Sequence, residues 1–122
     1  MIEVQDLRVR AGEFHLRGIS FSVLSGAYGV LMGKTGSGKT TLLEAILGLR
    51  SVEQGRIILC GKDVTRLDPA LRGIGYVPQD GALFSHMTVR EHLAFPLRIR
   101  RMPRRDIEAR VVELAGLLGI TH

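Results

Sequence analysis

Gly33, Lys34, Thr35, Gly36, Ser37, Gly38, Lys39 and Thr40 satisfy G-x-x-x-x-G-K-[ST], a spacing suited to gripping a chain of phosphates. Glycines at 33, 36 and 38 let the backbone bend so closely that successive N–H groups face one concavity, a nest for anionic oxygens. Lys39 adds a point charge for the β- and γ-phosphates, and Thr40 offers a hydroxyl to Mg²⁺. A helix beginning there turns its positive end toward the same oxygens, with Thr41 continuing the run of donors. The ligand implied is a nucleoside triphosphate with Mg²⁺.

Such a loop works only between a strand and a helix, and the flanking residues fit that order. Ala27 to Met32 is a nearly continuous apolar run and predicts a short strand of the kind buried on both faces of a parallel sheet. Residues 41–49 carry apolar side chains at 42, 43, 46, 47 and 49, predicting a helix that ends near Gly48. The alternative, a glycine-rich surface turn with an incidental lysine, requires strand, spacing and helix to coincide by accident.

Around this unit, residues 2–9 and 14–23 alternate apolar and polar residues on either side of Ala11–Gly12 and predict two antiparallel strands. Residues 55–61 predict a further strand bounded by glycines, followed by a helical turn near Pro69–Arg72. Gly75 to Pro78 reads as a brief core strand, cut off because Pro78 donates no ladder hydrogen bond. Thr88 is placed to cap a helix over 89–97 that Pro96 ends or kinks. Pro103 then sits in the first turn of a last helix with the stripe Ile107, Val111, Leu114, Leu118.

With 122 residues, 45% of them hydrophobic, the chain can bury the core of one globular domain. No run of about 18 apolar residues is present, and the start at Met1 lacks the regions of a signal peptide, so the expected location is cytosolic. Cys60 has no partner for an internal disulfide and reads as a small buried side chain on a strand. The net charge of +5 is uneven: Arg98, Arg100, Arg101, Arg104 and Arg105 fall within eight positions. No aromatic residue interleaves them, which argues against a nucleic-acid platform and for a solvated face near a membrane surface or an acidic partner. His86 and His92 stand apart from any carboxylate or cysteine cluster and form no metal site.

Forty residues beyond Lys39 stands Gln79, within Gly73 to Asp80, and residues 82–95 follow as A-L-F-S-H-M-T-V-R-E-H-L-A-F. With these residues the sequence resembles the ATP-binding subunits of ABC transporters, which follow a glutamine loop with a segment close to L-F-P-H-M-T-V-x-E-N. The resemblance covers the whole chain. It implies an α/β fold: a P-loop NTPase (RecA-like) core with an antiparallel β subdomain over 1–80, and the start of a helical subdomain over 81–122, apparently incomplete. It also implies Mg²⁺ and ATP as ligands, with Gln79 completing the Mg²⁺ shell and sensing the γ-phosphate. By the same resemblance the loop after Gln79 faces a membrane permease, with Leu83, Phe84 and Met87 either touching it or packed within their own domain. The complete subunit would form a homodimer on the inner face of the membrane and couple ATP hydrolysis to solute import. The opening residues look most like importers of oxyanions such as molybdate, tungstate or sulfate.

Several departures stand out. Ala11 occupies the position where such subunits stack adenine on an aromatic ring; Phe14 is the nearby aromatic, but its place in an alternating strand favours a core role. Ser85 replaces a frequent proline and His92 a frequent asparagine. The acidic strand end that holds Mg²⁺, the water-positioning glutamate, the L-S-G-G-Q signature and the switch histidine are not found. The expectation is therefore the N-terminal portion of such a domain, which binds nucleotide without turning it over alone. Residues 28–32, lacking the acidic strand as neighbour, would then show unpaired backbone and apolar side chains. A non-catalytic nucleotide-binding or assembly module and a P-loop nucleotide kinase are the alternatives; Tyr76 to Gln79 speaks against the kinase.

Overall fold

The computed structural model describes residues 1–121 and divides into two compact units, Met1–Tyr76 and Val77–His122. In the first unit, β1 (Ile2–Ala11) and β2 (Phe14–Val23) form the expected hairpin. β3 (Val52–Leu59) pairs antiparallel with the other edge of β1, and β4 (Lys62–Asp63) pairs with β3. The sheet order is β2-β1-β3-β4, with β1 at its centre.

One face of this sheet seats α1 (Lys39–Leu47). Strict alternation could not bring Val4, Leu7 and Val9 to that face together, yet all three are buried. The register of β1 shifts between Val4 and Leu7, where Asp6 takes a left-handed φ of 46°. This bulge lies against Gly55, whose own φ is 95°; a Cβ there would stand 2.4 Å from the Asp6 carbonyl oxygen. The re-aimed side chains pack with Leu42, Ala45 and Ile46 of α1 and with Val52, Ile57 and Val64 in one core.

The far end of α1 is held by a buried cation. Arg72 donates from Nη1 to the Ala45 and Ile46 carbonyls at 3.0 and 2.9 Å, from Nε to Leu67 O at 2.9 Å and from Nη2 to Thr65 O at 3.2 Å. Burial pushes its pKa down from the usual guanidinium value. Carbonyls of the last turn, at the negative end of the helix dipole, replace the carboxylate a buried arginine would otherwise need.

Three expectations for this unit need correction. Residues 27–32 are not a strand: they find no ladder partner among the described residues, and Tyr28, Val30 and Met32 are 100%, 81% and 84% exposed. They border an apolar cleft of about 530 Å³ that Phe21, Leu42 and Ile46 also line. Residues 75–78 likewise form no strand. Apolar composition reports what a side chain avoids, whereas a strand also requires a neighbouring backbone. Cys60 is exposed, one residue beyond β3 with φ 48°, its Sγ 3.7 Å from the N-terminal ammonium.

In the second unit, α2 (Val89–Ile99) packs on α3 (Arg104–Leu117) through Ala94, Ile107 and Val111. Thr88 does cap α2, in a reciprocal box: its hydroxyl accepts from the Glu91 N–H while Glu91 accepts from the Thr88 N–H at 2.6 Å. Pro96 lies inside the helix and does not end it. It costs one backbone donor, and the flanking contacts of Ala94 and Leu97 with the α3 cluster hold the turn. The helix stops instead where Arg101 turns left-handed, with φ 56°. Pro103 caps α3 rather than lying within its first turn, and Leu118 falls outside the helix, exposed. The five clustered arginines are all exposed. Among the described residues no helix is long and apolar enough to cross a membrane.

Replacing Arg72 by methionine removes donors from four carbonyls at once. Arg72→Met is expected to lower stability by about 2–4 kcal/mol in urea unfolding, with Arg72→Lys recovering part of the loss. An unchanged midpoint for Arg72→Met would show that the anchor is dispensable.

Candidate nucleotide-binding site

Gly33 to Thr41 forms a continuous loop and first helical turn in the first unit. Gly38 is the N-cap of α1, with φ 95°, and has no side chain to cap with. The Leu42 N–H donates to the Gly38 carbonyl at 2.9 Å, whereas the N–H groups of Lys39, Thr40 and Thr41 find no acceptor among the described residues. Three donors and the positive end of the helix dipole therefore point out of the loop together.

The loop is closed by its own lysine. Lys39 Nζ donates to the Gly33 carbonyl at 2.6 Å, the Lys34 carbonyl at 2.8 Å and Ser37 Oγ at 3.4 Å. The Ser37 N–H donates to Lys34 O at 3.1 Å. These bonds hold an ammonium at the rim of the concavity and stiffen the turn around it. Two glycines are sterically required here. A Cβ at Gly33 would lie 2.7 Å from Ser37 Oγ, and one at Gly38 would lie 2.8 Å from Leu16 Cδ2 and 2.9 Å from Phe14 Cε1. Gly36, with φ 80°, faces open space and supplies the left-handed turn.

Phe14 departs from its expected core role. It starts the edge strand β2, is 40% exposed, and its ring borders Gly38 at the start of α1. It is also the direct cross-strand partner of Ala11. The two-residue turn Gly12–Glu13 sets that pairing, so the juxtaposition was readable from the spacing of the hairpin. Its proximity to the phosphate loop was not.

Gly33, Lys34, Thr35, Gly36, Ser37, Gly38, Lys39, Thr40 and Thr41, the candidate residues named from the sequence, lie in one continuous loop and first helical turn. Gln79 belongs to the second unit, in an exposed turn closed by Gly81 N–H donating to Pro78 O at 3.3 Å. Thr40 is exposed, so its hydroxyl is open to a ligand. Among the described residues no three His, Cys, Asp or Glu side chains cluster as a metal site. A cation seated here would draw on the Thr40 hydroxyl and the phosphates it accompanies, hard oxygen donors that suit Mg²⁺.

Comparison with known proteins agrees with this geometry. The family described as ABC transporter matches residues 16–122. The molybdate/tungstate import ATP-binding protein WtpC of Pyrococcus horikoshii is 46% identical over the whole chain, which spans 35% of that relative. The sulfate/thiosulfate import ATP-binding protein CysA of Nocardia farcinica is 45% identical over 98% of the chain and 37% of its own length. The chain thus spans about a third of the length of these curated relatives. Among solved structures, MJ1267, an ATP-binding cassette of an ABC transporter, superposes with a TM-score of 0.77 at 28% identity, covering all of this chain and 55% of the other. The fold is accordingly that of part of a P-loop NTPase cassette, and the chain belongs to the ABC transporter family.

Proposed function

We propose that residues 33–41 hold the phosphates of Mg-ATP, and that the chain is the N-terminal portion of the ATP-binding subunit of an importer. The observation that carries this reading is the convergence of three unpaired N–H groups and the Lys39 ammonium on one loop. The N–H groups of Lys39 to Thr41 would cradle the phosphates while Lys39 shares its charge between the loop carbonyls and the β- and γ-oxygens. Mg²⁺ would screen the phosphate charge, with the Thr40 hydroxyl as its ligand from the loop; the family resemblance assigns it a second ligand, Gln79. Phe14, beside the loop and opposite Ala11, takes the adenine face that Ala11 cannot offer.

The names of the relatives support an oxyanion as the imported solute. A permease partner is supported by the loop after Gln79, where Leu83 is 83% exposed and Phe84 is also exposed. The exposed arginines between α2 and α3 suit the anionic inner face of a membrane, where two copies of the complete subunit would meet the permease. The 122 residues contain no L-S-G-G-Q segment, so turnover is not expected from them alone.

Lys39→Ala removes a charge-assisted contact worth about 1.5–3 kcal/mol and is expected to weaken Mg-ATP at least about tenfold in calorimetry. Unchanged affinity would refute its role. Loss of the ring in Phe14→Ala is expected to cost about 1–3 kcal/mol of Mg-ATP affinity while leaving binding of Mg-triphosphate as it was. Equal losses for both ligands would mean that Phe14 shapes the loop and does not meet the base; Phe14→Leu, which keeps the packing against Gly38, guards against a folding artefact.

A further inference from the structure

His92 replaces an asparagine that the family often carries, and its ring is held by two backbone groups whose chemistry leaves no choice of proton position. Nε2 lies 2.9 Å from the Phe84 backbone nitrogen, and an N–H can only donate, so Nε2 must be the bare acceptor. Nδ1 lies 2.8 Å from the Thr88 carbonyl oxygen, which can only accept, so Nδ1 must carry the hydrogen. The geometry therefore specifies one neutral tautomer. It ties the loop ahead of α2 to the first turn of that helix, across eight residues.

We infer that His92 is a proton-sensitive latch: neutral, it fixes Phe84 against α2; protonated, it presents a second N–H to the Phe84 N–H and releases the loop. Histidine changes charge between about pH 5 and 8, so acid is the releasing direction. The Phe84 ring stacks on His92 at 5.9 Å and 27° and meets Phe95 at 5.1 Å. Those ring contacts survive either charge state, so what protonation removes is the backbone bond that sets the course of residues 84–88.

The charged groups around His92 are engaged elsewhere or make no bond to it. His86 approaches the Phe84 ring at 6.0 Å and makes no bond to His92 among the described residues. Glu91 is engaged by the Thr88 backbone and hydroxyl, which hold its carboxyl below the usual range, with smaller help from Arg98 and His86. From α3, Glu108 is paired with Arg90 at 2.8 Å. His92 is thus a positioning residue for the segment that exposes Leu83 and Phe84. Any effect on docking rests on the permease reading given above; the latch does not, and it can fail while that reading stands.

The test is an NMR titration of the full chain from pH 8 to 5, following the His92 ring nitrogens and the Phe84 amide. At pH 8 the ring is expected as the Nδ1–H tautomer. The Phe84 amide should shift with the same midpoint as the His92 ring, in the wild type and in His86→Asn alike. His92→Gln, which keeps an acceptor but gains no proton, should abolish that titration. An Nε2–H tautomer at pH 8, a Phe84 amide indifferent to the His92 midpoint, or a titration that persists in His92→Gln would each overturn the latch.

Discussion

The first turn of α1 leaves three N–H groups without acceptors among the described residues, because Gly38 caps the helix with backbone alone. Most helices satisfy such donors with a serine, threonine or aspartate at the cap. Here the deficit is the proposed site, and the rest of the first unit holds it in place. A nest of donors is useful only if the helix behind it does not tilt, and α1 is restrained at both ends. At its start Gly38 fits between the loop and the Phe14 and Leu16 side chains. At its end Arg72 gathers two carbonyls of the helix and two of the following segment. Between them Leu42, Ala45 and Ile46 rest on a sheet face that exists only because β1 bulges at Asp6.

Residues whose role depends on local backbone chemistry were legible in the sequence. The phosphate loop, the end of α1 at Gly48 and the cap at Thr88 are each fixed within a few residues by sterics and hydrogen bonding. The hairpin of β1 and β2 was legible for the same reason, since its turn sets its register. What failed depended on distant partners. Residues 27–32 and 75–78 have strand composition but no ladder partner among the described residues. Pro96 was read from its missing donor as ending or kinking α2, yet the helix runs on past it to the left-handed turn at Arg101. Cys60 was assigned by composition to a strand that ends one residue earlier. The exposure of Phe14 beside the loop follows from where α1 meets the edge of the sheet, which no periodicity reports.

The division into two units also separates two kinds of chemistry. Met1–Tyr76 holds the whole of the phosphate loop and everything that steadies it. Val77–His122 carries Gln79 and, after it, a segment whose course is set by bonds to α2 from Phe84 and Thr88. Under the proposed reading the first unit grips the nucleotide, and the exposed segment after Gln79 in the second is what a partner meets. Electrostatics favours the same assignment. The loop offers an ammonium and unpaired N–H groups to an anion, and an exposed threonine hydroxyl to the cation that travels with it.

The central claim, that the unpaired donors of α1 are what the ligand meets, is tested most directly by following the backbone amides of the intact chain as Mg-ATP is added. The N–H groups of Lys39, Thr40 and Thr41 donate to no acceptor among the described residues, so their amide signals, with those of Gly36 and Gly38, are expected to move furthest. If Mg-ATP binds and those amides stay fixed while others respond, the nucleotide sits elsewhere and the account is wrong.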